Sequence, residues 1–230
     1  MKTIVFTFVS VIAWNVAVAG PIVVNSPVGH LFIPTGFDNN DNVEVFVSGE
    51  FPNSCYSRNK VEVNVQEETI KINVTALVNS ESEKCEDYKV SYLEDVTIGN
   101  LQAGDYKVIV NDKISEKLVV AETRSTSVDD YIYGEVDYVE LGFTGGLNGE
   151  VALVGRTADC IVLDRVVTID NGKDTLSVLP IMKIASNSCA KQKVQFNIPV
   201  NFDQTKFKGE KILLYVKTMD GKSVTSLLQK

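Results

Sequence analysis

The stretch CYSRNKVEVNVQEETIKINVTALVNSESEKC, residues 55–85, decides the fold class. Val61, Val63 and Val65 alternate with polar residues, Glu67-Glu68 interrupts, and Ile70, Ile72 and Val74 resume the same period of two. Such alternation marks half-buried strands, and two runs joined by a short polar break mark a β-hairpin. Cys55 precedes the leading strand and Cys85 follows the return strand, so both lie at the hairpin's open end.

The pattern returns in CIVLDRVVTIDNGKDTLSVLPIMKIASNSC, residues 160–189. Sliding the second half of the chain over the first brings Gly36-Phe37 onto Gly142-Phe143, Gly49 onto Gly155 and Cys55 onto Cys160. It also brings Val61 onto Val166, Cys85 onto Cys189, Val90 onto Val194 and Gly104 onto Gly209, all at an offset of 104 to 106. A nearly constant offset points to an internal duplication. Four cysteines allow three connectivities, and pairing Cys55 with Cys85 and Cys160 with Cys189 is the one that stays within copies. Closing a loop of about 30 residues stabilises each copy by roughly 3.6 kcal/mol in the chain-entropy model. A zinc site is the rival reading, but it lacks Cys-x-x-Cys spacing and has one distant His to offer.

Further short runs, among them 43–47, 106–110, 117–120, 150–154, 176–179, 194–198 and 211–216, are rich in Val, Ile, Tyr and Phe. The predicted fold is all-β: two tandem antiparallel immunoglobulin-like β-sandwiches, residues 20–124 and 125–230, each with one disulfide.

Lys2, the apolar run Ile4 to Ala13 and the triplet Ala17-Val18-Ala19 before Gly20 read as a signal peptide, residues 1–19, cleaved between Ala19 and Gly20. The run is short of the roughly 20 residues that span a bilayer, so no membrane span is expected. A periplasmic or secreted location follows, and it is oxidising enough for disulfides.

The whole chain carries a net charge of −8, which argues against a nucleic-acid partner. The charge is uneven. Residues 20–124 hold 17 acids and 9 bases, whereas residues 155–230 hold 7 acids and 12 bases. Either these charges form ordinary solvated surface, or the halves dock through them.

Catalytic signatures are scarce. The only histidine, His30, sits in Gly-His-Leu-Phe-Ile-Pro, the expected first strand, where a structural role is the plainer reading. No phosphate-cradling loop or nucleophile elbow occurs, and no cofactor is implied. Paired carboxylates remain as possible glycosidase groups. In the loop Asp38-Asn39-Asn40-Asp41-Asn42, Asp38, Asn40 and Asp41 could ligate calcium, or the segment is an ordinary Asx turn. Residues 129–150 carry six acids, no base, and Tyr131, Tyr133, Tyr138 and Phe143. These aromatics are candidate binding residues, or they are packing in the linker and first strand of the second copy. Asn73-Val74-Thr75 matches a glycosylation sequon.

Gly49 with Cys55, the run Leu101-x-x-Gly104-Asp105-Tyr106-x-Val108-x-Val110, and Leu213-Leu214-Tyr215-Val216-Lys217-Thr218-Met219-Asp220-Gly221 resemble uncharacterised exported bacterial proteins with tandem immunoglobulin-like sandwiches. The resemblance implies the fold and no active site. The expected function is therefore a non-enzymatic binding or structural module, of adhesion, envelope-associated or inhibitor-like type, recognising a protein or glycan partner. The alternative is a carbohydrate-active enzyme or lectin on the same scaffold, which needs a concave site with two carboxylates or stacked aromatics.

Overall fold

A computed structural model describes residues 20–79, 85–123, 129–142, 148–186, 188–190 and 192–230; residues 1–19, the expected signal peptide, and Phe143 lie outside these. The first copy contains β1 (Ile22–Asn25), β2 (Val28–Phe32), β3 (Phe37–Asp38), β4 (Val43–Phe51), β5 (Tyr56–Gln66), β6 (Thr69–Val78), β7 (Val90–Gly99), β8 (Gly104–Val110) and β9 (Ile114–Ala121). The second contains β10 (Ile132–Tyr133), β11 (Glu135–Gly142), β12 (Asn148–Ala158), β13 (Ile161–Asp170), β14 (Thr175–Ile184), β15 (Lys193–Asp203), β16 (Lys211–Thr218) and β17 (Lys222–Gln229). No described helix is long and apolar enough to cross a membrane.

Each copy is a two-sheet sandwich closed by its own disulfide, Cys55–Cys85 and Cys160–Cys189, with Cα atoms 5.3 and 4.8 Å apart. Sheet I runs β5-β6-β8-β9-β3 with β1 also on β6, and sheet II runs β2-β4-β7. In the second copy sheet III runs β13-β14-β16-β17 with β10 also on β14, and sheet IV runs β11-β12-β15. Antiparallel pairing dominates, and both copies share a parallel pair at the same place, β6 with β8 and β14 with β16, while the first copy adds a second parallel pair, β3 with β9. In the shared pair Thr69 faces Lys107 as Thr175 faces Leu213, so one register serves both copies.

The repeated glycine has a steric cause. Gly49 lies opposite Val28, where β2 bulges, and a Cβ on it would sit 2.0 Å from the Pro27 carbonyl oxygen. Gly155 lies opposite the equivalent bulge in β11, and its Cβ would sit 2.0 Å from the Glu135 carbonyl oxygen. An aromatic covers each bare backbone, Tyr92 beside Gly49 and Phe196 beside Gly155. The Gly36-Phe37 match to Gly142-Phe143 is not an equivalence of place. Phe37 is in β3 against β9, whereas Gly142 ends β11 against Glu150 of β12.

The two sandwiches share a core. Leu213 and Tyr215 of β16 are packed in the buried cluster of the first copy, while Ile212, Leu214 and Val216 face the second copy's own core. The Tyr215 ring lies 5.6 Å from Phe37 and 6.0 Å from Phe46. Sheet III thus packs its outer face on the outer face of sheet II, and β4 and β16 are buried on both faces. The contact is head-to-tail, since a large sheet of one copy meets the small sheet of the other.

Candidate functional site

Polar groups ring the seam between sandwiches, and here the uneven charge finds partners. Lys217 of β16 pairs with Asp41, and both side chains are buried. Lys173 pairs with Glu116, and Ser223 donates to Glu44 at 2.6 Å. One pair runs the other way: His30 Nε2 lies 2.7 Å from the buried Asp174 carboxylate. Burial opposes ionisation of Asp174, but His30, Asn171 and Thr175 hydrogen bonds outweigh it and hold the carboxyl below its ordinary value. His30 therefore joins the two sandwiches. Sequence alone could place it on a strand, not against a residue 144 positions away.

The Asx loop folds as a turn around its own oxygens. Asp38 N–H donates to Asp41 Oδ2 at 3.0 Å, Asn40 N–H to Asp38 Oδ1 at 3.2 Å, and Asp41 Oδ1 takes the Lys217 ammonium. A side-chain cation thus sits against Asp41, one of the three calcium candidates. Burial, the Asp130 carboxyl and the Asp41 charge push Asp38 up to about 6. The Lys217 ammonium also lies 5.2 Å above the Tyr133 ring.

The Tyr-rich segment divides. Tyr133 is buried in the seam beside Lys217, and burial with the nearby Asp41 and Asp130 charges raises its phenol well above the ordinary range. Tyr131 is 43% exposed, set edge-on to Tyr133 and beneath the Arg165 guanidinium. Tyr138 is 48% exposed on β11, away from both, with its hydroxyl 3.3 Å from Glu140. The structure brings Tyr131 and Tyr133 together and leaves Tyr138 apart. Asn73 is exposed on β6.

A second feature separates the copies at their disulfide ends. In the first copy Phe51, opposite Val90, stacks on Tyr92 and Tyr56 and closes the end of the core. Thr157, opposite Val194, stands in that place in the second copy. The edge strand also shortens. All of β1 pairs with residues 75–78, covering Leu77 and Val78, whereas β10 pairs only with Ile181 and Met182. Ile184 of β14 is left 59% exposed, with exposed Val162 and Leu163 on the neighbouring strand β13, and Val194 of β15 in the other sheet is 50% exposed. Among the described residues, the β14 edge at Lys183 and Ile184 has no strand on the side that β1 occupies in the first copy.

A cleft of about 570 Å³ opens on the seam, lined by Asn40, Asn42, Glu44, Asp95, Asn100 and the 220–223 turn. Burial and the Asp95 charge push Glu44 up, against a lowering bond from Ser223.

Residues 45–120, spanning most of the first sandwich, match the family model of the ORF11 beta-sandwich domain. No curated protein and no solved structure matches the chain.

Proposed function

We propose that the protein is an exported, non-enzymatic binding or structural module that holds an extended segment of a protein partner at the disulfide end of its second sandwich. The signal-peptide pattern and two disulfides support export, as does the resemblance to exported bacterial tandem immunoglobulin-like proteins. The carrying observation is the internal comparison: the same sheet edge is filled by β1 in the first copy, whereas in the second no strand of the described residues pairs with it beside Ile184. Strand addition supplies main-chain hydrogen bonds for affinity and apolar sockets for selectivity. The filled copy states the chemistry of the occupant, since β1 reads Ile22-Val23-Val24-Asn25.

A photo-crosslinking residue at Ile184, compared with one at exposed Asn73, tests this in the native compartment. Capture of a protein from position 184 but not 73, lost on Val194→Asp, is expected. Equal capture at both positions, a captured glycan, or monomer alone overturns the assignment.

The seam cleft favours a second reading, the carbohydrate-active one, because it sets Glu44 and Asp95 in one concavity. Glycan turnover that survives Glu44→Gln and Asp95→Asn removes it.

A further inference from the structure

The contact between the sandwiches joins two unlike faces, the outer face of sheet III and the outer face of sheet II. The outer faces of sheets I and IV are left without a partner sheet among the described residues. A head-to-tail contact of this kind does not close on itself and can repeat from molecule to molecule. The register shared by the copies shows what stands on the uncovered faces at the places that dock inside the chain.

On sheet III, Ser177, Leu213 and Leu227 fill docking places. Ser177 is buried and accepts the Thr35 N–H across the seam at 3.1 Å, and Leu213 and Leu227 pack against the core of the first sandwich. Their counterparts on sheet I are Lys71, Lys107 and Lys117, all exposed. Lys71 faces Ile109 as Ser177 faces Tyr215, and Lys107 faces Lys117 as Leu213 faces Leu227. On sheet II, Phe32, Phe46 and Leu93 fill docking places, and their counterparts on sheet IV are Glu140, Ala152 and Asn197. Phe32 faces Phe46 as Glu140 faces Ala152, and Ser48 faces Leu93 as Val154 faces Asn197. Both ends of the molecule thus carry charge, amide or a smaller side chain where the seam has apolar bulk. The lysines also have a cost. Lys107 and Lys117 are direct cross-strand neighbours, and like charges so placed are destabilising. Asp105, 2.7 Å from Lys117, offsets that repulsion in part.

We propose that Lys71, Lys107 and Lys117 on sheet I, with Glu140, Ala152 and Asn197 on sheet IV, terminate the head-to-tail contact and confine it to one chain. The partner these faces would otherwise fit is a second copy of the same chain. Docking sheet I of one molecule on sheet IV of another would bury the lysine ammonium groups against a surface that lacks the aromatic side chains of the seam. Desolvating charge without apolar burial to offset it is unfavourable. The inference is independent of what the protein binds.

Sedimentation velocity on the full chain across a concentration series tests termination. Lys71→Ser, Lys107→Leu and Lys117→Leu convert one face, and Glu140→Phe, Ala152→Phe and Asn197→Leu convert the other. Wild type and each converted chain alone are expected to sediment as monomers. An equal mixture of the two is expected to give a dimer of twice that mass and nothing longer, because each partner keeps one terminating face. All six substitutions in one chain should give oligomers that lengthen with concentration. Self-association of wild type, self-association of a chain with one converted face, or a mixture that stays monomeric overturns the proposal. Should either triple variant fail to fold, Lys107→Leu is titrated with Ala152→Phe and followed by amide NMR. Shifts confined to the outer faces of sheets I and IV uphold termination, and no shifts, or shifts elsewhere, refute it.

Discussion

Asp41 and Lys217, 176 residues apart in the chain, form a buried ion pair across the seam between the two sandwiches. Breaking one side of such a pair is far more damaging than removing both, because the survivor stays buried and uncompensated. Lys217→Met is expected to lower stability by about 3–5 kcal/mol. Asp41→Asn combined with Lys217→Met should recover most of that loss. Urea unfolding of the two single variants and the double variant measures the coupling; equal, additive losses would show that the pair contributes nothing as a pair.

Gly49 and Gly155 make a matched test of the duplication. A Cβ at either place meets a bulged carbonyl oxygen at 2.0 Å, a backbone contact that no side-chain rotation relieves. Gly49→Ala and Gly155→Ala should each destabilise by about 2–4 kcal/mol. Gly29→Ala, in the same bulge but with its nearest neighbour at 3.7 Å, should stay near neutral. A small loss at Gly49 would mean that the bulge can slide.

These positions show what could be read from sequence and what could not. Gly49 and Gly155 were visible as landmarks because the clash they avoid is local to each copy, and the cysteines because each pair closes one hairpin end. The docking face was hidden by alternation itself. Glu44 in Val43-Glu44-Val45-Phe46-Val47 reads as solvent-facing, yet it is buried against Ser223. The other side of the seam did leave a trace. Lys107 and Ile109 of β8 occupy the register places of Leu213 and Tyr215 in β16, so the polar Lys107 of one copy gives way to Leu213 within a continuous apolar run in the other. The meeting of Tyr133, Asp41 and Lys217 depends on docking, and no spacing rule encodes it.

Asp174 gives a pH test at the opposite side of the seam. Its carboxyl is held below the ordinary 3.8 despite burial, chiefly by His30 and Asn171. A depressed carboxyl contributes stability that is present above the unfolded value and lost as pH falls through the folded one. Wild type should therefore lose stability below about pH 4, and Asp174→Asn should be weaker at neutral pH with a shallower acid limb. Thermal melts between pH 2.5 and 7 compare the slopes. Parallel curves would show that Asp174 carries no share of the acid sensitivity.

Thr157 and Val194 offer the most direct test of the open end. Phe51 closes the first copy by stacking on Tyr56 and Tyr92, and the second copy has Ile161 and Phe196 nearby but Thr157 in the place of Phe51. Thr157→Phe should cover Val194 and Ile184 and raise stability by about 1–2 kcal/mol through burial. The same ring occupies the socket that an added strand would use, so crosslinking from position 184 should fall as stability rises. Stability alone would rise if the exposed end were only an imperfectly closed core. Opposite movement of stability and capture is the signature of a site kept open for a partner.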